Sequence, residues 1–385
     1  MSLTPEFPRE EFEDRWRRAR EGMTRRNLDA LLITSEANYR YLSGHYSGFW
    51  ISKARPMLML LPRERGPILL MTQNQVPLAE AMSPVKDLRS WDGFMTEAIP
   101  ALADAIRSAG LHQGRIGAEL GFKQRLGMPV LELFHLESLL PDAAFVDAAD
   151  LFWELRRCKS AREVAYLQDS IRITCEAYDA MFATVHPGMT ERDVHRTFLV
   201  ELFKRGAERP GYIPVTSGAG NYYRRTGGPT DRKLEPGDLL WFDGGCSFMG
   251  YWSDLSRMIA VQQATAEQRR TYREVRAITH ACLQEVGAGR PIAGIDRRAR
   301  AEFKTRGLRY GSASRVGHGI GLDHTEPPSL REDVEGSLQA GMVLSIEPTV
   351  LADHGLYQIE ELYVVAEGGY TLLTRAAADE LTVVG

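Results

Sequence analysis

The chain places acidic residues inside apolar segments, and this pattern restricts what it can fold into. Asp243 follows Leu239-Leu240-Trp241-Phe242, and Asp254 follows Tyr251-Trp252-Ser253. Glu347 closes Met342-Val343-Leu344-Ser345-Ile346, and Glu360 and Glu361 lie between Tyr357-Gln358-Ile359 and Leu362-Tyr363-Val364. Such runs read as buried strands. A carboxylate taken out of water without a partner costs roughly several kcal/mol, so burying these strands requires either a cation or a shifted pKa.

Asp243 and Asp254 flank a turn-like segment, 244–250, so a hairpin would bring their carboxylates together. Gly317-His318-Gly319-Ile320-Gly321 adds an imidazole in a glycine-rich loop that backbone can approach closely. Carboxylates with one imidazole suit a pair of divalent ions such as Mn²⁺, Co²⁺ or Zn²⁺. Two such ions about 3.5–4 Å apart can generate hydroxide at neutral pH and polarise a carbonyl. Each residue alone has an ordinary reading: an acid at a strand end is solvated, and a histidine beside glycines belongs to a loop. The glycine loop lacks the strand-then-helix context of a phosphate cradle, and Cys246 has no flanking base. Five coincident anomalies in one region favour the metal site.

The remaining composition excludes other classes. With 51 acidic against 47 basic side chains the formal net charge is −4, without the basic surplus of a nucleic-acid or anionic-membrane binder. No apolar run approaches the roughly 18 residues of a membrane span. Segment 1–23 is dense in Arg and Glu and lacks the apolar stretch of a secretory leader. Cys158, Cys175, Cys246 and Cys282 are scattered and read as reduced thiols, so a cytoplasmic protein is expected.

A length of 385 residues fits two or three domains. Phe12, Trp16, Ala19 and Met23 predict an amphipathic helix over 9–27, and another is expected over 99–109. Short apolar runs at 30–34, 57–61, 68–72, 115–119 and 144–147 predict strands, giving an α/β N-terminal domain. The charged stretch 154–162 marks a change of texture, which sets domains of 1–157 and 158–385. Helices are expected from about residue 160, from Thr190 with Asp193 as its capping box, and over 266–285 and 295–306. Strands are expected at 211–216, 238–244, 252–261, 342–350, 357–366 and 370–374. That order predicts an α+β C-terminal domain with a curved, mostly antiparallel sheet.

The ordered set Asp243, Asp254, His318, Glu347 and Glu360 resembles the metal ligands of the pita-bread metallopeptidases, which include methionine aminopeptidase, Xaa-Pro aminopeptidase and prolidase. The stretches that carry it are Phe242-Asp243-Gly244-Gly245, 250–257, 317–322, Ser345-Ile346-Glu347-Pro348 and Gln358-Ile359-Glu360-Glu361. The first half resembles the N-terminal domain of the creatinase/prolidase branch, including 38–44. The resemblance implies a pita-bread C-terminal domain with two metals, bridged by Asp254 and Glu360. Asp243 would complete one metal, and His318 with Glu347 the other. Glu347 would also serve as general base on a bridging water. It implies Glu360, the first acid after the isoleucine, as the ligand rather than Glu361. It also implies a homodimer in which residues near His45, Tyr46 and Trp50 reach a partner's pocket.

The chain departs from the family outside the ligand set. A family histidine seven residues after the ligand histidine is Thr325 here, with His324 one place earlier, and another four residues before it is Ser314. An upstream substrate-facing histidine falls at Arg225 or Thr226, beside Tyr223, and an arginine two residues before the last ligand is Gln358. Strand alternation keeps Gln358 facing the site with Glu360. The expected activity is hydrolysis of X-Pro or other short peptides, with Glu347, His324 and Thr325 as catalytic residues. Arg225, Thr226, Ser314, Gln358 and Tyr223 would bind substrate. The changed outer groups and Arg225 leave a second reading, a C–N hydrolase or dimethylsulfoniopropionate-type lyase acting on a small anionic or zwitterionic substrate. A non-catalytic binding protein is a third, against which the full ligand set argues.

Overall fold

The computed structural model describes residues 6–311 and 315–385. The chain divides between Arg156 and Arg157 into two compact units. The first runs α1 (Arg9–Arg25), β1 (Ala30–Ile33), α2 (Glu36–Ser43), β2 (Leu58–Pro62), β3 (Ile68–Thr72), α3 (Val76–Met82), β4 (Asp87–Trp91), α4 (Met95–Ser108), β5 (Arg115–Ala118), α5 (Val130–Leu139), β6 (Ala144–Asp147) and α6 (Ala149–Arg157). The strands form one sheet in the order β4-β3-β2-β1-β5-β6. Only β2 runs antiparallel to its neighbours. Leu32, Leu58, Leu60 and Leu70 pack with Ile99, Leu102 and Ile106 of α4. The alternate set Leu31, Ile33, Met59 and Leu61 is equally buried. Both sheet faces are therefore covered, which explains why these strands read as unbroken apolar runs.

The second unit opens with α7 (Ala161–Phe182) and α8 (Glu191–Lys204), each started by a capping box, Ser160 with Glu163 and Thr190 with Asp193. Then come β7 (Arg209–Pro210), β8 (Val215–Ser217), β9 (Leu239–Gly244), β10 (Cys246–Phe248), β11 (Tyr251–Trp252), β12 (Leu255–Val261), α9 (Ala266–Leu283) and α10 (Ile292–Thr305). The chain ends with β13 (His318–Gly319), β14 (Glu326–Ser329), β15 (Val343–Ile346), β16 (Thr349–Ala352), β17 (Gly355–Gln358), β18 (Glu361–Ala366), β19 (Gly369–Leu372) and β20 (Val383–Val384). Two larger sheets carry the site, β20-β12-β9-β8 and β14-β13-β15-β18-β19. All their pairs are antiparallel except β12 with β20. Trp241 and Met258 pack in one core with Val275 and Ile278 of α9 and Ile295 of α10. Phe242, pointing the other way, meets Phe198 of α8 and Tyr178 of α7 at ring distances of 5.0 and 5.8 Å.

Three strands expected to be continuous are each broken, and the breaks fall at acidic residues. Strand 252–261 stops at Ser253-Asp254, 342–350 at Glu347-Pro348 and 357–366 at Ile359-Glu360. The physical reasons are hydrogen bonds from elsewhere in the chain at two breaks and a proline at the third. Ser253 Oγ lies 2.7 Å from Thr174 Oγ1 and accepts the Cys246 N–H at 3.0 Å, which turns the backbone inward. Pro348 has no N–H to continue a ladder. Arg257 donates to the Glu360 carbonyl, which diverts that group from strand pairing. The expected strand at 211–216 begins only at Val215, and the expected turn at 244–250 contains the short β10. Among the described residues no helix is long and apolar enough to cross a membrane.

Candidate metal and active site

Register places the first two carboxylates. Ser256 on β12 pairs with Asp243 on β9, so Asp254 enters just beyond the end of the same ladder. Asp243 Oδ1 is buried with no hydrogen-bond partner. Asp254 Oδ2 lies 3.5 Å from His318 Nε2 and 3.5 Å from His324 Nδ1.

His318 is held from both sides. Its backbone N–H donates to Ser345 Oγ at 3.2 Å, and its Nδ1 lies 2.9 Å from the Gly319 carbonyl. A carbonyl can only accept, so Nδ1 carries the proton and Nε2 keeps the lone pair that a metal would need. Gly317 is required here by space, because a Cβ would stand 2.0 Å from the Ser345 carbonyl oxygen. At Gly321 a Cβ would meet the Glu326 carboxylate at 2.7 Å, so that side chain would have to shift. The glycine spacing of this loop thus follows from close backbone approach.

Glu347 Oε1 lies 3.6 Å from His318 Nε2, and its Oε2 accepts from Gln358 Nε2 at 2.6 Å. Glu360 is buried with neither carboxylate oxygen partnered. Its neighbour Glu361 turns the other way, onto Arg257 Nη2 at 3.0 Å, the Ala377 N–H at 2.8 Å and the Thr374 hydroxyl. One of two adjacent glutamates is therefore neutralised by protein, and the other is left for something else. Donor atoms of Asp254, His318 and Glu360 all lie within 4.8 Å of one another.

Electrostatics follow from this crowding. Burial and then repulsion from Asp254 and Glu347 push the Asp243 carboxyl well above the ordinary range. Burial and the charges of Asp254, Glu347 and Asp243 do the same to Glu360. Glu347 is raised by burial, partly relieved by His318. Burial also acts against ionised Asp254, but His324 and His318 outweigh it and hold its pKa down. Unpartnered buried oxygens beside a correctly oriented imidazole fit a divalent cation, which would reverse the upward shifts.

The outer residues are placed as follows. His324 points at Asp254 and packs edge-on against Trp252, with ring centroids 5.8 Å apart. Thr325 is half-buried beside it. Arg225 donates from Nη1 to the Gly311 carbonyl at 3.0 Å, and its charge is felt by Asp243 and Glu347. The Thr226 carbonyl accepts from the Tyr212 hydroxyl, and Tyr223 is 74% exposed. Ser314 lies outside the described residues. In the first unit His45 is buried, its Nδ1 3.0 Å from the Tyr39 hydroxyl, while Tyr46 and Trp50 are half-buried.

Sequence reasoning missed three contributors. Arg315 lies 4.0 Å from Glu347 Oε1, and only its proximity to His318 in the chain signalled it. Lys159 pairs with Glu326, although its stretch reads as a charged boundary. Trp252 braces the 321–326 loop: its backbone N–H donates to the Gly321 carbonyl at 2.9 Å and its Nε1 to that of Leu322 at 3.1 Å.

The profile of metallopeptidase family M24 matches residues 165–367, and that of the creatinase/prolidase N-terminal domain matches residues 15–158. An uncharacterized peptidase of Bacillus subtilis, YqhT, is 24% identical over 350 residues, covering 91% of this chain and 94% of that protein. The Xaa-Pro dipeptidase of Pyrococcus furiosus is 27% identical over 263 residues, covering 68% of this chain and 75% of that one. The solved structure of an Xaa-Pro dipeptidase from Bacillus anthracis superposes with a TM-score of 0.86 at 22% identity, over 97% of this chain and 100% of that one. That superposition shows the fold, the two-domain creatinase/prolidase-like architecture with a pita-bread C-terminal domain.

Proposed function

Since the chain belongs to metallopeptidase family M24, we propose that it is an Xaa-Pro dipeptidase-like hydrolase using two divalent ions to cleave short peptides. Asp243, Asp254, His318, Glu347 and Glu360 would hold the ions. The supporting observation is the set of unpartnered buried oxygens on Asp243 and Glu360 beside His318. Bound there, such ions would supply a nucleophilic hydroxide and polarise the scissile carbonyl.

The chain's own groups divide the remaining work. Gln358 fixes the Glu347 carboxylate through Oε2, and as general base this carboxylate would take a proton from water and return it to the leaving nitrogen. His324 reaches Asp254 with Nδ1, so in the neutral ring Nδ1 carries the proton and the buried, unpartnered Nε2 would accept a hydrogen bond from a substrate N–H.

The test is amino-acid release from a panel of X-Pro dipeptides by Mn²⁺-, Co²⁺- or Zn²⁺-reconstituted protein. Release from any of them is expected. No release with any metal, from protein shown by elemental analysis to hold the ions, would overturn the reading.

A further inference from the structure

We propose that Arg225 and Arg315 form an anion subsite that makes this chain selective for acidic short peptides, those with a carboxylate beyond the terminal one. The proposal rests on the hydrolase reading above and adds the charge class of its substrate.

The argument is one of charge and placement. The four candidate ligand carboxylates carry the charge that two divalent ions would balance. Other charged groups around the site are internally matched: Arg257 with Glu361, and Lys159 with Glu326. Two guanidiniums are left over. The ion-pair partner of Arg315 among the described residues is Glu347, at 4.0 Å, and its side chain is only 23% exposed. A metal ion drawing on Glu347 would remove that partner. Arg225 is half-buried and is bonded through Nη1 to a backbone carbonyl, with no carboxylate in ion-pair reach among the described residues. A partly buried guanidinium with no carboxylate at contact distance is unfavourable, and its planar fork matches a carboxylate.

The two sides of Glu347 are also unlike. On one, Gln358 presents a neutral amide whose Oε1 is buried and unpartnered. On the other, Arg315 stands 4.0 Å from Oε1, and the charge of Arg225 acts on both Glu347 and Asp243. An additional substrate carboxylate is therefore accommodated on the Arg225/Arg315 side, and an ammonium there is opposed by like charge.

The experiment uses the full chain loaded with Mn²⁺. Kinetics are compared for Glu-Pro, Ala-Pro and Lys-Pro, and succinate, a dicarboxylate that cannot be hydrolysed, is titrated calorimetrically. The expected order of kcat/KM is Glu-Pro above Ala-Pro above Lys-Pro. Arg225→Gln and Arg315→Gln should each raise the KM for Glu-Pro about tenfold or more and weaken succinate to a similar degree. Arg315→Lys should recover part of the loss, which a merely structural arginine would not predict. Metal content, measured in parallel, should stay unchanged. Equal KM for the three dipeptides, or succinate affinity indifferent to both Gln variants in metal-replete protein, would overturn the subsite. Because succinate binding needs no turnover, an enzyme inert to all peptides would sink the hydrolase reading while still deciding the subsite.

Discussion

The Lys159 ammonium lies 2.9 Å from the Glu326 carboxylate, with side-chain exposures of 2% and 1%. The other oxygen of Glu326 accepts the Asp323 N–H at 3.2 Å, so this ion pair is built into the loop that carries His324. Together with the two bonds from Trp252, it fixes which side chain of the pair His324-Thr325 meets Asp254.

Breaking that pair leaves one buried charge uncompensated. Lys159→Met should lower stability by about 3–5 kcal/mol, whereas the double variant Lys159→Met/Glu326→Gln should recover a substantial part of it. Urea denaturation curves check both. The loop register has its own test. Exchanging the two residues, His324→Thr with Thr325→His, should leave activity as low as His324→Ala, because the clamp still presents position 324 to the site. Activity restored by the exchange would show that the clamp does not set the register.

The crowded carboxylates make an opposite prediction for stability and for metal binding. Glu360 and Asp243 have folded pKa values raised by burial and mutual repulsion. The folded metal-free chain thus holds protons that the unfolded chain releases, and its stability falls as pH rises above the ordinary carboxylate range. Glu360→Gln should therefore stabilise the metal-free protein at neutral pH by about 1–4 kcal/mol while lowering bound metal. Added Mn²⁺ should stabilise the parent far more than the variant. A variant less stable than the parent without metal would contradict the assignment of Glu360 as an uncompensated ligand.

Glu347 depends on its amide neighbour. Gln358→Leu removes the 2.6 Å bond to Oε2 and leaves the carboxylate free to rotate. Loss of such a supporting contact should reduce kcat about 10–100-fold with metal content largely retained. Steady-state kinetics with elemental analysis separates this from simple metal loss.

Much of this site was legible because charge inside an apolar run is visible without coordinates. Asp243, Asp254, Glu347 and Glu360 announced themselves in that way, and the glycines around His318 mark real close approaches. What could not be read was where strands end. Periodicity carries apolar runs across Ser253, Glu347 and Ile359, whereas bonds from distant residues, Thr174 to Ser253 and Arg257 to the Glu360 carbonyl, stop them. The Lys159–Glu326 pair spans 167 residues, so no local pattern links its members. His324 reaches Asp254 through a loop conformation braced by Trp252, and spacing alone left it beside Thr325 as an equal choice.

The first unit carries a pH dependence separate from the metal site. His45 is fully buried, and burial pushes its pKa down to about 4 from an ordinary 6.5. Its Nδ1 meets the Tyr39 hydroxyl and its Nε2 has no partner, so the protonated ring has nothing to satisfy its second N–H. Between these two values the unfolded chain binds a proton that the folded chain refuses. Stability therefore rises with pH across this window and is lost as pH falls from about 6.5 to about 4. The full difference is on the order of 3 kcal/mol. Unfolding free energies measured by urea between pH 4 and 7 should show this slope in excess of that of His45→Phe. The variant should approach or exceed the parent's stability at pH 4 and fall below it at pH 7, where the parent keeps the bond to Tyr39. Parallel pH profiles for the two proteins would show that His45 titrates normally in the fold.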